Sequence, residues 1–318
     1  MHNRLRQAGK GLIARLSMQR TGAGGIGWRV LIPVLILFCP VTALPEPSAT
    51  VSVAPSDHPR FGQVRRLLSQ ELGDSVRVRA WTSGADPDEL VVTLDRATLS
   101  EIRANRPDQP VLSLFTQSHA IEAIIKDRDR FSALYSDPPL MRQARLGQLI
   151  IPRANTVAIL ASPEKAGRYS ELRTQLREIG LASRVFVIPS QDELIRHLAR
   201  ALSYGDFLLG TPDPDIFNRQ TVKPLLLTSY RSNRLVIGPS RAFVNAGAVA
   251  STYTSASDQV REAASMIRHW LNHQELVSPR YPEHYDVAVN EQVARSMDLL
   301  VPPESELRKT LRRQEDDL

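Results

Sequence analysis

Cysteine is nearly missing from this sequence. The one present, Cys39, lies in an N-terminal apolar run. A leader cut after Val41-Thr42-Ala43, an acceptable small-residue cleavage site, leaves a mature chain with none. Structural disulfides, iron–sulfur clusters and thiol catalysis are then excluded. Acidic residues are missing from positions 1–43, which carry Arg4, Arg6, Lys10, Arg15, Arg20 and Arg29. Setting these six aside reduces 40 Lys and Arg to 34, matching the 34 Asp and Glu. The formal charge of +6 therefore belongs to the leader, and the rest of the chain has no global field for nucleic acid or an anionic membrane. A long apolar run is missing too. Val30–Ala43, broken by Pro33 and Pro40, falls short of the roughly 20 residues of a spanning helix. Residues 1–43 read as a secretory signal peptide directing the protein to the periplasm, with an uncleaved membrane anchor as the alternative. Phe38, ahead of Cys39, is too large for a lipoprotein signal.

Catalytic signatures are also missing: the sequence has no Walker A motif, no G-x-S-x-G and no H-E-x-x-H. Gly22–Gly27 fits G-x-G-x-x-G, but no strand precedes it, and without a βαβ setting the pattern carries no dinucleotide meaning. His269 and His273 sit four apart with Glu275 nearby; too few ligands surround them for a metal, and a solvated helix face explains the spacing. Asp213 and Asp215 flank Pro214, an arrangement that suits a turn as well as acid–base chemistry. No enzyme activity and no cofactor are expected. A DNA-binding regulator is excluded, because a leader stands where its helix-turn-helix would be.

What is present is alternation. Apolar strand-like runs at Ala49–Ala54, Val76–Trp81, Leu90–Thr93, Val111–Phe115, Phe131–Tyr135, Thr156–Leu160, Arg184–Ile188, Phe207–Leu209, Leu235–Ile237 and Tyr285–Val289 are separated by segments of helical period. Ser190-Gln191-Asp192-Glu193 has the form of a capping box. Charged residues after Pro302-Pro303 suggest a frayed helix. The order predicts an α/β protein of two Rossmann-like lobes with parallel sheets of roughly five strands each.

In such folds, ligands sit outside the carboxyl ends of the strands. The stretch Asp206–Ser257, with two short strands running into polar loops, reads as one cleft wall followed by a return crossing near Ala246–Tyr253. Candidate ligand contacts follow strand ends: Ser56, Asp57, Thr116, Ser118, Asp137, Asp213 and Ser240. Each also precedes a helix and suits capping. Tyr135, Phe217 and Tyr253 can stack on a ligand or fill a core. Asp213 is a candidate partner for a ligand amine.

Several blocks resemble the substrate-binding proteins of ABC transporters related to tryptophan and tyrosine binders. They are Tyr135-Ser136-Asp137-Pro138-Pro139 with Arg142-Gln143, Asp213–Asn218, Leu227–Arg231, Phe243–Ala248, and Val287–Asn290 with Val293–Ser296. The likeness runs over roughly Val51 to Leu307. It implies a type I periplasmic binding protein whose lobes close about a three-segment hinge, with crossings near Pro138–Leu140, Ala246–Tyr253 and Val277–Tyr285. The first lobe would be 44–138 plus 250–277, the second 139–249 plus 283–305, and 306–318 a charged tail. The resemblance further implies a small-molecule ligand, such as an amino acid or a similar compound, and an ABC permease partner in the inner membrane. Asp213 matches the relatives' amine-binding Asp, but Pro214 stands where they carry Asn. A secreted sensing or envelope-partner binding module without a transport role is the alternative reading.

Overall fold

The computed structural model describes residues 49–125 and 130–316. The leader with Cys39, the Gly22–Gly27 motif and the linker Leu44–Ser48 lie outside the described residues.

Buried parallel strands read as unbroken apolar runs, and they build two sheets here. In the first, β1 (Ala49–Ala54), β2 (Val76–Ala80), β3 (Leu90–Thr93), β4 (Val111–Ser113) and β5 (Phe131–Ala133) run parallel in the order β2-β1-β3-β4-β5. Helices α1 (Phe61–Leu72), α2 (Arg96–Asn105) and α3 (Ser118–Ile124) lie between them in sequence. Val64, Leu68 and Leu72 recur at four-residue spacing on α1 and are buried, and Gly73, with φ of 72°, ends the helix. Asp95 caps α2 by accepting from the Thr98 amide.

The second sheet follows α4 (Leu140–Ile150) and comprises β6 (Thr156–Ala161), β7 (Ala182–Val187), β8 (Phe207–Leu209), β9 (Leu235–Ile237) and β10 (Ala250–Tyr253). Its helices are α5 (Ser170–Glu178), α6 (Leu194–Tyr204), α7 (Val222–Arg231) and α8 (Arg241–Ala246). The chain then returns to the first lobe as α9 (Ala256–His273), and ends in the second with β11 (Asp286–Val289), α10 (Glu291–Ser296) and α11 (Glu304–Asp316). The strand order is β11-β10-β9-β8-β6-β7. All pairings are parallel except β10–β11, which is antiparallel. Apolar clusters cover both faces of each sheet; α9 contributes Val260, Ala263, Ala264 and Ile267 to the first lobe. In α4, a Cβ on Gly147 would stand 2.6 Å from the Phe207 ring, so the helix can approach β8 closely only with glycine there.

Three details depart from the sequence reading. Ala250–Tyr253 is a strand of the second sheet, so the second crossing falls after Tyr253, at Thr254–Ser255, rather than across Ala246–Tyr253. Its sequence, ASTY, hid it: Ser251 and Thr252 are fully buried polar residues. The hydroxyl of Ser190 makes no cap hydrogen bond; Gln191–Glu193 is a 3₁₀ turn, and Glu193 pairs with Arg196 instead. Glu304–Asp316 is no frayed tail. Leu307 and Leu311 are buried in the second lobe's core, and Arg308 pairs with Asp286. Glu315 accepts from Arg142 Nε at 2.6 Å, and the Gln314 carbonyl accepts from Arg145 at 2.7 Å.

Two buried glutamines pin the crossings. Gln143, on the helix that enters the second lobe, donates to the Gly238 carbonyl (2.7 Å) and Ser251 Oγ (2.9 Å) and accepts from Thr252 N (2.8 Å) and Oγ1 (2.9 Å). Gln259, on the helix that re-enters the first lobe, donates to the carbonyls of Leu134 (2.9 Å) and Tyr135 (3.3 Å). The third crossing lies along β5: Arg280 N donates to Ala133 O, and Tyr135 N to Arg280 O, both at 3.0 Å.

Gln143→Leu keeps the volume but strands buried polar partners. Such groups cost about 1–3 kcal/mol each, so a loss of about 3 kcal/mol is expected, read as a lower urea midpoint at unchanged slope. An unaltered midpoint would show that Gln143 is not the anchor described.

Candidate functional site

Residues that follow strand ends in both sheets meet across one interlobe cleft, Glu122 reaching Arg168 and Phe115 sharing a cavity with Ser240, and the groups there fall into two sectors.

In the first sector, nearly every charge already has a partner. Asp137, in the turn after β5, is 5 % exposed and accepts from Ser118 N at 2.6 Å and Ser118 Oγ at 2.8 Å. Burial pushes its carboxyl up from the ordinary value, and the two Ser118 bonds offset only part of that. Burial, with the charge of Asp137 nearby, pushes the Tyr281 hydroxyl up to about 12. The Tyr281 ring meets Tyr135 edge-on at 4.9 Å between centroids. Thr116 is buried and within 3.2 Å of Ser113 Oγ.

Across the cleft, Asp213 is fully buried in the loop after β8. It accepts from Ser162 N (2.8 Å), Ser162 Oγ (2.9 Å), Lys165 Nζ (2.9 Å) and the Asp215 amide (3.1 Å). Burial raises its carboxyl, but the Ser162 and Lys165 bonds outweigh this and hold it below the ordinary value. Lys165 also reaches Asp215 at 2.8 Å. The ammonium that Asp213 meets in this structure is thus the protein's own Lys165.

His119, on α3, faces Lys165, Arg168, Asp137 and Asp213; burial first, then the Lys165 charge, lowers its pKa. Its Nδ1 is buried with no hydrogen-bond partner among the described residues. Beside it, the Glu122–Arg168 ion pair at 3.1 Å crosses from one lobe to the other. Both partners are about half exposed, and such pairs contribute little.

The second sector is a cavity of about 320 Å³. Arg60, Phe115 and Ser136 line it from the first lobe, Ser240, Arg241 and Tyr253 from the second, and Thr254 from the second crossing. Phe115 has φ of 58°, a left-handed conformation uncommon outside glycine and often found at ligand clamps. The Arg60 guanidinium lies 4.7 Å from the Phe115 ring centre, and Arg241 lies 4.7 Å from that of Tyr253.

Of the residues singled out from sequence, Ser240 and Tyr253 line this cavity. Ser118 and Asp137 bond each other, and Tyr135 stacks near them. Phe217 is 7 % exposed and packs on Phe243 in the second lobe's core, away from the cavity. Ser56 and Asp57 are exposed on the loop after β1 and do not line the cavity. Sequence reasoning missed Ser162, Lys165, Arg60, Arg241 and Tyr281. Ser162 and Lys165 follow β6 directly, so the strand-end rule that marked Asp213 applies to them equally. His269 and His273 stack at 4.4 Å between ring centres. Among the described residues, no group of three or more His, Cys, Asp or Glu is placed to hold a metal, and no helix is long and apolar enough to cross a membrane.

Comparison with solved structures identifies the architecture. An ABC domain from Streptococcus pneumonia in complex with L-Trp is 18 % identical, with a TM-score of 0.55 over 82 % of this chain and 98 % of that one. A ligand-free, open substrate binding protein with adhesive properties from Clostridium difficile is 14 % identical, with a TM-score of 0.62 over 80 % and 95 %. A conserved domain protein from Vibrio cholerae is 14 % identical, with a TM-score of 0.55 over 80 % and 96 %. No protein-family model matches the chain, and no curated protein matches it in sequence. The chain has the two-lobed type I periplasmic binding protein fold.

Lys165→Met tests the Asp213 pair. Breaking a buried pair costs about 3–5 kcal/mol when the stranded charge keeps no partner. Ser162 retains two bonds to Asp213, so about 2 kcal/mol is expected at pH 7. A carboxyl held below its ordinary value in the folded state adds stability above that ordinary value, and loses it as pH falls through the folded one. The variant's carboxyl moves upward and protonates sooner, so the gap to wild type should narrow on acidification to about pH 4 and below. Urea midpoints at pH 7, 5 and 4 measure this; a gap that widens towards acid contradicts the assignment.

Proposed function

We infer that this protein is an extracytoplasmic solute-binding protein of an ABC-type transport system. It holds a small ligand between its lobes, and closure about the hinge delivers that ligand to a permease in the inner membrane. The observation that carries the reading is the interlobe cavity, where loops from the carboxyl ends of both sheets converge beside the crossings. Ligands bind at this position in open α/β sheets, and hinged lobes that close around a ligand are an established switching device. No catalytic step is needed: ligand adds contacts to the closed form and shifts its population. An N-terminal leader agrees with export to the periplasm. The candidate contacts Thr116, Ser118, Tyr135, Asp137, Asp213, Ser240 and Tyr253 belong to this cleft, whereas Ser56, Asp57 and Phe217 take no part in the reading. The L-Trp of the Streptococcus pneumonia structure makes amino acids the first group to try.

The expected result is a ligand that raises the melting temperature and contracts the protein in X-ray scattering. At a hundred times Kd, mass action stabilises the bound form by about 2.7 kcal/mol. If amino acids, organic acids and sugars all leave both readouts unchanged, and mass spectrometry finds no co-purified small molecule, the transport reading is wrong.

A further inference from the structure

We propose that the interlobe cavity takes a small anion, a carboxylate or phosphate group gripped between Arg60 of one lobe and Arg241 of the other. This rests on the solute-binding reading and names the ligand's chemical class.

The two sectors of the cleft differ in how their charges are satisfied. Around Asp213, positive and negative groups pair within the protein. Around the 320 Å³ cavity they do not. Arg60 and Arg241 both line it, and no acidic residue does. Among the described residues, neither guanidinium makes an ion pair or a side-chain hydrogen bond; their recorded contacts are the Phe115 and Tyr253 rings. The Ser136 and Ser240 hydroxyls that also line the cavity likewise have no hydrogen-bond partner among the described residues.

Each feature has a physical consequence. A guanidinium backed by an aromatic face is held in place by cation–π attraction, while its N–H edge stays free. That edge is a planar fork matched to the two oxygens of a carboxylate or phosphate. Two cations facing one cavity repel, so drawing the lobes together costs free energy when the cavity holds only water. An anion between them reverses the sign of that interaction and adds charge-assisted hydrogen bonds from both lobes. Ser136 and Ser240 supply neutral donors for the remaining oxygens. Closure and anion binding are then one coupled event, because the two charges sit on the two bodies that move. Both arginines are solvent-exposed, so screening should weaken binding as salt rises.

The test is titration calorimetry at low ionic strength with the full mature chain. The probes are inorganic phosphate, glycerol 3-phosphate, succinate and phenylacetate, with glycerol and phenylacetamide as uncharged counterparts and tryptamine as a cation. An anion should bind while its uncharged counterpart does not; phosphate against carboxylate probes then separates the two sources of the charge. R60A and R241A should each weaken that binding about 10- to 100-fold, the loss of a charged hydrogen bond, and the double variant should abolish it. R60K and R241K should restore only part, since a lysine lacks the fork. Circular dichroism should show all variants folded, as both side chains lie at the surface. Anion binding that survives the double variant overturns the proposal. So does an uncharged or cationic probe that binds in the cleft and contracts the protein in scattering while anions do not; that result leaves the solute-binding reading standing. If no probe of any charge binds, the anion proposal falls, while the solute-binding reading stands or falls on the amino-acid, organic-acid and sugar panel and the search for a co-purified molecule.

Discussion

The fold depends on one constraint: the chain must leave and re-enter each lobe at a single place. A buried amide enforces this in both lobes. Gln143 ties the helix that enters the second lobe to the strand that leaves it, and Gln259 ties the helix that re-enters the first lobe to the turn after β5. The Gln143 amide uses both its donor and its acceptor on backbone and hydroxyl partners, and the Gln259 amide nitrogen donates to two carbonyls, so these buried groups are satisfied within the protein. Because the anchors are polar and directional, they fix register where apolar packing would allow slip. The sheets on either side can then present their carboxyl ends to one cleft.

The cleft that results is electrostatically uneven. Its Asp213 side is neutralised internally by Lys165, and its Asp137 side by Ser118 donors and burial. A ligand arriving there would have to displace good hydrogen bonds. The Arg60–Arg241 side offers unspent donors and a cavity. The unpaired donors of the cleft therefore lie on the Arg60–Arg241 side, not where its most buried charges sit.

Much of the fold was legible because parallel strands buried on both faces are apolar throughout. Leu90–Thr93 and Thr156–Ala161 announce themselves in this way. Strand β10 did not, because Ser251 and Thr252 look like loop residues until Gln143 is seen to satisfy them. Helix α11 was hidden by charge: most of its residues are polar, and only Leu307 and Leu311 report that it is docked. The site was legible as a place but not as a chemistry. Strand ends pointed to Asp213 and Ser240, while pairing depends on distant residues. Asp213 finds its partners in the loop after β6, and Arg60 and Arg241 come together only through the folding of two lobes. Phe217 shows the same limit from the other side, since nothing local distinguishes an aromatic in a core from one in a cleft.

The third crossing is bound to the first lobe well past its start. Arg280 is hydrogen-bonded on both sides to β5 and its exit, Glu262 holds the Arg280 guanidinium at 3.0 Å, and Glu262 also accepts from the Glu283 amide at 3.0 Å. By Tyr285 the chain is already buried in the second lobe's core, under the Arg142 guanidinium at 3.7 Å. Between these two moorings lies little more than His284, whose carbonyl accepts from the Thr254 hydroxyl of the neighbouring crossing at 2.8 Å. In these two crossings, the part of the chain moored to neither lobe is therefore very short. A span that short leaves few backbone torsions about which one lobe could turn on the other.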